Sequence, residues 1–413
     1  MNPSPSPGGT KNRRYAALLI LLLAVPGTRA FSDPLSPSSP PPEIGARSAV
    51  LADAVTGTVL FAVNPDIQIP PASLTKLMTV HLVLREIAAG RAHADEVLVP
   101  PPESWARNQE PHSSLMFLDQ NQRLTLGQLL LGMAVPSGND AATAAALRIA
   151  PSVEDFVSRM NAEGAALGLS STRFTEPAGV SPDNKTTAAD FAAFCSFYMK
   201  EHPEALETLH SVPEFSYPLP ANVTGGARTI VQNNHNPLLG RFPGADGLKT
   251  GYIPEAGYNI AATAKRGSTR LVAVVLGADS DQQRTQDTAA LLSWGFDNFS
   301  TWYPVPVNLP QARIWKGKDK YAELEMDGGA ACTVSKSKIL VTWWEPDING
   351  SLQAPLAKGA PAGTMTLKDE TGILLDVPLV LKNPAPAAGF WKRFFDGVSF
   401  FFYRLFGKKP PKT

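Results

Sequence analysis

Apolar and polar positions alternate with two different periods along the chain. Ala49-Val50-Leu51-Ala52-Asp53 and Val59-Leu60-Phe61-Ala62-Val63 flank Thr56-Gly57, which predicts a β-hairpin. Helical spacing follows at Leu77, Met78, Val80, Leu82, Val83 and Leu84. A second helix is predicted from Leu124 to Leu131, with Thr125 as N-cap and Val135-Pro136 as its break. An Ala-rich helix runs from Asp140 to Ile149, and another, capped by Thr186 or Thr187, reaches Met199. Gly257–Ala264 and Arg270–Gly277 read as buried strands joined by Arg266-Gly267-Ser268. Thr285–Phe299 reads as a helix that turns Leu291, Leu292, Trp294 and Phe296 inward. From Pro304 to about Pro384, short strand-like runs separated by Gly, Pro and Asp predict a small β domain.

The two ends differ from this pattern. Lys11, Arg13 and Arg14 precede the apolar run Ala16–Val25, so residues 1–30 read as a secretory signal; an uncleaved anchor is the alternative. Residues 31–46 are rich in Pro and Ser and predict an extended linker, with order beginning near Ser48. At the other end, residues 386–413 comprise a linker and one amphipathic helix. On a helical wheel Phe390, Trp391, Phe394, Phe395, Val398, Phe401, Phe402, Leu405 and Phe406 share one half. Lys392, Arg393, Asp396, Ser399, Tyr403 and Arg404 share the other, and Phe400 is the one bulky apolar exception. Such a helix lies in a membrane interface, and its distributed charges argue against a spanning segment. Docking on the protein's own core is the alternative. Signal and helix together predict an exported protein, peripheral on the periplasmic face of the inner (cytoplasmic) membrane.

Composition removes several function classes. Lys+Arg and Asp+Glu both number 37 in 413 residues, which gives no basic footprint for nucleic acid. Cys195 sits in an apolar helical run and reads as a core residue, and Cys332 is too far along the chain to be paired from sequence. No metal-ligand spacing and no phosphate-binding Gly loop is present, so no cofactor is expected.

The candidate chemistry begins at Ser73-Leu74-Thr75-Lys76. On a helix, residues three apart share a face, with Cβ atoms about 5–6 Å apart. Ser73 is then a nucleophile within reach of Lys76, which can act as a base only when burial or a second cation has removed its charge. Lys249-Thr250-Gly251 offers that cation. Ser137-Gly138-Asn139 falls on a loop, where Gly138 is expected to permit the turn; a helix cap is the plainer use of such residues.

These three stretches, in this order, resemble the Ser-x-x-Lys, Ser-x-Asn and Lys-Thr-Gly motifs of penicillin-binding proteins and serine β-lactamases. The flanks Ala134–Ala141 and Gly244–Tyr252 resemble the low-molecular-mass D-alanyl-D-alanine carboxypeptidases. The resemblance runs from about Ser48 to Phe299. It implies an α/β fold, an antiparallel sheet flanked by helices with a helical subdomain, over residues 47–300. A small all-β domain over 301–385 and the C-terminal amphipathic helix would follow. It also implies roles. Ser73 would form the acyl ester, Lys76 would accept its proton, and Lys249 would help keep Lys76 neutral by repulsion. Ser137 would relay a proton to the leaving amine, and Asn139 would bind the substrate amide. Lys249 and Thr250 would hold the terminal carboxylate, Gly251 would allow close backbone approach, and the N–H groups of Ser73 and Tyr252 would form the oxyanion hole. The implied substrates are peptidoglycan stem peptides, with β-lactams as covalent mimics. The chain departs from the family at Glu176, where relatives have Asn, at His235, in place of Arg, and at Tyr252, in place of His. An endopeptidase, a β-lactamase of the same fold and a non-enzymatic cell-wall scaffold are the alternatives.

Overall fold

The predicted hairpin forms from β1 (Ser48–Asp53) and β2 (Val59–Val63), with Asp53 Oδ1 accepting from Val55 N at 2.9 Å to start the turn. This computed structural model describes residues 35–224, 228–306, 308–337, 341–370 and 372–406. The expected signal segment and the basic tail at Lys408, Lys409 and Lys412 lie outside them.

Along the chain, α1 (Lys76–Ala88) is followed by the short pair β3 (Val97–Leu98) and β4 (Leu124–Thr125). Next come α2 (Leu126–Ala134), α3 (Asn139–Ile149), α4 (Val153–Ala166) and α5 (Ala188–Glu201). Thr125 caps α2 in a reciprocal box with Gln128, and Thr187 rather than Thr186 caps α5. The small hairpin β5 (Glu214–Tyr217) and β6 (Ile230–Asn233) was not legible in the periodicity. Then β7 (Ala245–Ile253), β8 (Gly257–Arg266) and β9 (Thr269–Ala278) lead into α6 (Asp281–Asn298).

The main sheet is antiparallel, in the order β2-β1-β9-β8-β7. Its strands read as continuous apolar runs because both faces are covered. With side chains alternating along each strand, Val50, Ala52, Val272 and Val274 join the core beneath α1, α2, α3 and α5. Ala49, Leu51, Ala273 and Val275 join a second core closed by Leu291, Leu292, Trp294 and Phe296 of α6. Strand β7 is left as an edge.

The Pro/Ser-rich stretch corrects one expectation. From Leu35 it is not a free linker. Ser38 and Ser39 donate backbone N–H groups to Asn298 Oδ1 at 2.7 and 3.1 Å, and the Trp294 indole donates to Ser39 O at 3.0 Å. Ala46 N reaches Asp287 Oδ2 at 3.0 Å. Side chains some 250 residues downstream supply the hydrogen bonds that an extended segment cannot make with itself.

Strand β10 (Phe299–Trp302) runs across the expected boundary at 300/301. The second unit contains β11 (Gln311–Arg313), β12 (Tyr321–Met326), β13 (Cys332–Ser335), β14 (Trp343–Ile348), β15 (Pro361–Asp369) and β16 (Gly372–Leu381). Five strands form a sheet ordered β11-β12-β16-β15-β14, while β13 pairs with β10 instead. Buried Asp53 ties this junction to β1, accepting from the hydroxyls of Thr301 at 2.7 Å and Thr333 at 3.0 Å. Both cysteines are free and buried.

Helix α7 (Phe390–Phe406) forms as predicted, but it does dock on the β domain, and it does so through its polar half. Asp396 accepts from Lys316 N at 2.9 Å, Lys392 donates to Lys318 O at 2.7 Å, and Phe400 and Tyr403 pack on Trp315 with ring centroids 5.2 and 5.3 Å away. Phe400, the exception on the wheel, is therefore the buried contact. The nine residues of the apolar half remain exposed. Among the described residues no helix is long and apolar enough to cross a membrane.

Candidate active site

Ser73 lies on a single 3-10 turn, Ala72–Thr75, that runs straight into α1. Ala72 takes φ +52°, a conformation that costs a non-Gly residue roughly 1–2 kcal/mol. Two glycines brace it. A Cβ on Gly179 would stand within 2.9 Å of Ser73 N, and one on Gly251 within 2.8 Å of the same nitrogen. Any larger residue at either place would push the serine aside.

Three residues on, Lys76 is only 1% exposed. Its Nζ lies 3.0 Å from Ser73 Oγ, 2.6 Å from Asn139 Oδ1 and 2.6 Å from Ala178 O. The amide and peptide oxygens can only accept. A neutral amine has two N–H donors for them and keeps its lone pair for the serine hydroxyl. Burial pushes the Lys76 amine down to about 7, against the opposing pull of Glu176 and Asp140. Desolvation, one of the two causes expected from the sequence, is the chief one. Burial first, then Lys76 and Arg284, hold the Lys249 amine well below the usual lysine value.

The middle motif also differs from expectation in one detail. Ser137 itself takes φ +63°, whereas Gly138 sits at φ −55°. Gly138 is needed for space: a Cβ there would meet Asp140 Oδ1 at 2.7 Å and Met116 N at 2.9 Å. Buried Asp140 pins the facing segment by accepting from Met116 N at 2.8 Å and Leu118 N at 3.0 Å. Asn139, the first residue of α3, is thereby aimed at Lys76.

On edge strand β7, Lys249 and Thr250 are buried, Gly251 passes the serine turn, and Tyr252 is half-exposed against Tyr258 with ring centroids 4.4 Å apart. Lys249 Nζ donates to Thr250 O at 3.1 Å. Alternate N–H and C=O groups of an edge strand point away from its sheet, which leaves β7 a template for an extended chain. Ser73, Ser137, Asn139, Thr250, Gly251 and Tyr252 all line one cleft of about 1000 Å³. His235, which stands where relatives have Arg, lines it too, as does Arg284 of α6. Burial, then Lys249, Lys76 and Arg284, push the His235 imidazole down to about 4, so it stands neutral near pH 7.

Sequence reasoning missed the contributions of Ala178, Gly179, Arg284 and Asp140. Gly179 was the legible one, as a lone glycine in a Pro-Ala-Gly turn. Among the described residues no group of carboxylate, His or Cys ligands is placed to hold a metal.

A cleft serine hydrogen-bonded to a buried lysine beside an edge strand defines a serine acyl-transfer enzyme of the penicillin-binding class. The chain belongs to the D-alanyl-D-alanine carboxypeptidase family, whose profile matches residues 35–280. It is 32% identical over 377 residues to the D-alanyl-D-alanine carboxypeptidase DacC of Escherichia coli (strain K12), covering 89% of this chain and 90% of that one. Its fold matches penicillin-binding protein 5 from Haemophilus influenzae at a TM-score of 0.75 and 32% identity, over 84% of this chain and 99% of the other. Penicillin-binding protein D2 from Listeria monocytogenes, solved in a cefotaxime-bound form, matches at 0.55 and 33% identity, over 62% of this chain and all (100%) of that one.

Proposed function

We propose that this protein is a serine D-Ala-D-Ala carboxypeptidase acting on peptidoglycan stem pentapeptides through an acyl ester on Ser73. The observation that carries the reading is that Lys76 is buried, with Nζ 3.0 Å from Ser73 Oγ and Asn139 Oδ1 and Ala178 O as its other acceptors, which leaves a neutral amine its lone pair for the serine. In the reaction, Lys76 takes the serine proton as Oγ attacks the carbonyl between the last two D-alanines. The N–H groups of Ser73 and Tyr252 receive the developing oxyanion, which needs donors fixed in place beforehand. Ser137 passes the proton to the departing D-alanine amine, and Asn139 holds the substrate amide. Lys249 and Thr250 bind the terminal carboxylate; an anion there favours the charged form of the Lys249 amine, which burial disfavours. Water then hydrolyses the ester. A β-lactam follows the same first step and stays attached, because its leaving amine remains tethered to the acyl group.

Glu176, the nearest carboxylate candidate in the sequence for a deacylating base, is not among the residues lining the cleft, and its oxygens are engaged within its own turn. This favours the carboxypeptidase over a β-lactamase. The exposed aromatic face of α7 supports a peripheral seat on the periplasmic face of the membrane for an exported protein.

The test is paired labelling with a fluorescent penicillin and measurement of D-alanine released from a pentapeptide. Wild-type protein is expected to do both and Ser73→Ala neither. Retained label in Ser73→Ala would overturn the assignment.

A further inference from the structure

The turn from Glu176 to Ser181 is wound round its own first side chain. Glu176 Oε2 accepts from Ala178 N at 2.6 Å. Oε1 accepts from Gly179 N at 2.6 Å, Ser181 N at 3.4 Å and Asn184 Nδ2 at 2.7 Å. All four partners are donors and both oxygens are engaged. An acceptor-only carboxylate satisfies them, and an amide, with donors on one side, does not.

The turn is also tied to the serine–lysine helix at three points. Buried Asn184 donates to Thr75 Oγ1 at 3.3 Å, one residue before Lys76. Thr79 Oγ1 donates to Pro177 O at 2.7 Å. Lys76 Nζ donates to Ala178 O at 2.6 Å, and Gly179 packs beneath the Ala72–Ser73 peptide. Glu176 touches none of the reacting atoms, yet it organises the carbonyl that takes one of the two protons of the neutral base.

The charged and titratable groups facing Lys76 come from four elements: Glu176 from this turn, Asp140 from α3, Lys249 from β7 and His235 from the segment before β7. Asp140 is occupied with the backbone of Met116, Leu118 and Ala141. Burial disfavours the charged forms of both the Lys249 amine and the His235 imidazole.

We propose that Glu176 is a positioning residue that sets the pH at which Ser73 becomes nucleophilic, by aiming the Ala178 carbonyl at Lys76 and by standing as a fixed anion beside its amine. This rests on the reading of Lys76 as the base. The sign follows from electrostatics: a nearby anion favours the ammonium, so removing it lets Lys76 shed its proton at lower pH.

The experiment is the second-order rate of acylation by a fluorescent penicillin, followed against pH in the full chain. Wild type is expected to lose rate on the acid side of about pH 7, where Lys76 becomes protonated. In Glu176→Gln the acid limb is expected to move lower by about one pH unit. A folded Glu176→Gln protein with the wild-type limb would overturn the proposal while leaving the base assignment intact. A wild type with no acid limb at all would overturn that assignment instead. Glu176→Asp keeps the anion but draws it back from the turn. It is expected to hold the limb in place and lower the plateau several-fold. If Glu176→Gln does not fold, a Glu176→Asp protein with the wild-type plateau and limb would overturn the proposal.

Discussion

Gly251 passes so close to Ser73 that a methyl group on its Cα would stand 2.8 Å from the Ser73 backbone nitrogen and 3.0 Å from Pro71 O. The third motif is thus a spacing device: its glycine lets an edge strand lie against the peptide of the proposed nucleophile. Gly251→Ala is expected to displace the serine turn by a fraction of an ångström or more and slow penicillin acylation by about 100-fold. Gly164 on α4 has open space around its missing Cβ, so Gly164→Ala is the control, expected to retain full activity. Equal acylation rates in the two variants would show that the close approach is unimportant.

Charge without a removable proton separates a base from an electrostatic role for Lys76. Arginine stays protonated at any accessible pH. Lys76→Arg is therefore expected to reduce acylation by a factor of about 10²–10⁴ across the whole pH range, with no recovery in alkali. Stopped-flow acylation at neutral and alkaline pH checks this. A variant that recovers at high pH would point to another base.

The residues proposed for catalysis were legible because they are local words: a serine and lysine three apart, a Ser-Gly-Asn at a helix start, and a Lys-Thr-Gly run. What the sequence could not carry were relations whose meaning depends on distant partners. Glu176 reads as an unexplained departure until four donors are seen around it. Ser38 and Ser39 read as linker until Asn298 and Trp294 are seen to hold them. Gly138 was credited with the turn at Ser137 on conformational grounds, yet its role is to make room beside Met116 and Asp140. The wheel separated the faces of α7 correctly, but nothing in it could say that Phe400 meets Trp315.

Behind the serine helix, three buried histidines predict an acid-sensitive fold. His81 Nδ1 lies 2.8 Å from His202 Nε2, and His210 Nε2 lies 2.7 Å from the Tyr198 hydroxyl. Burial lowers all three: His81 despite its contact with Glu163, His202 to about 4 with a further push from His81, and His210 to about 3. Each folded value lies below the unfolded value of roughly 6.5. The unfolded chain therefore takes up protons first. The stability contribution is complete above about pH 6.5 and is lost as pH falls towards and through the folded values. The thermal midpoint is expected to drop between pH 6.5 and 4, and His202→Gln to flatten that slope. A midpoint flat over the range in wild type would contradict the neutral assignment.

The docking of α7 predicts a separation between folding and membrane binding. Lys392, Asp396, Phe400 and Tyr403 are spaced to share one helical face, and that face meets Trp315 and the Lys316–Lys318 backbone. Phe394 and Phe401 lie on the other face, 55% and 60% exposed. Since both side chains are exposed among the described residues, Phe394→Asp with Phe401→Asp is expected to leave the thermal midpoint unchanged and to abolish flotation with phospholipid vesicles, because it places two carboxylates in the apolar stripe. Trp315→Ala is expected to do the reverse. Trp315 is 3% exposed, and removing it costs about 3–5 kcal/mol of β-domain packing while the apolar stripe is untouched. Vesicle binding that survives the double aspartate change would mean that another surface meets the lipid. A fall in its thermal midpoint would mean that the aromatic face packs against protein.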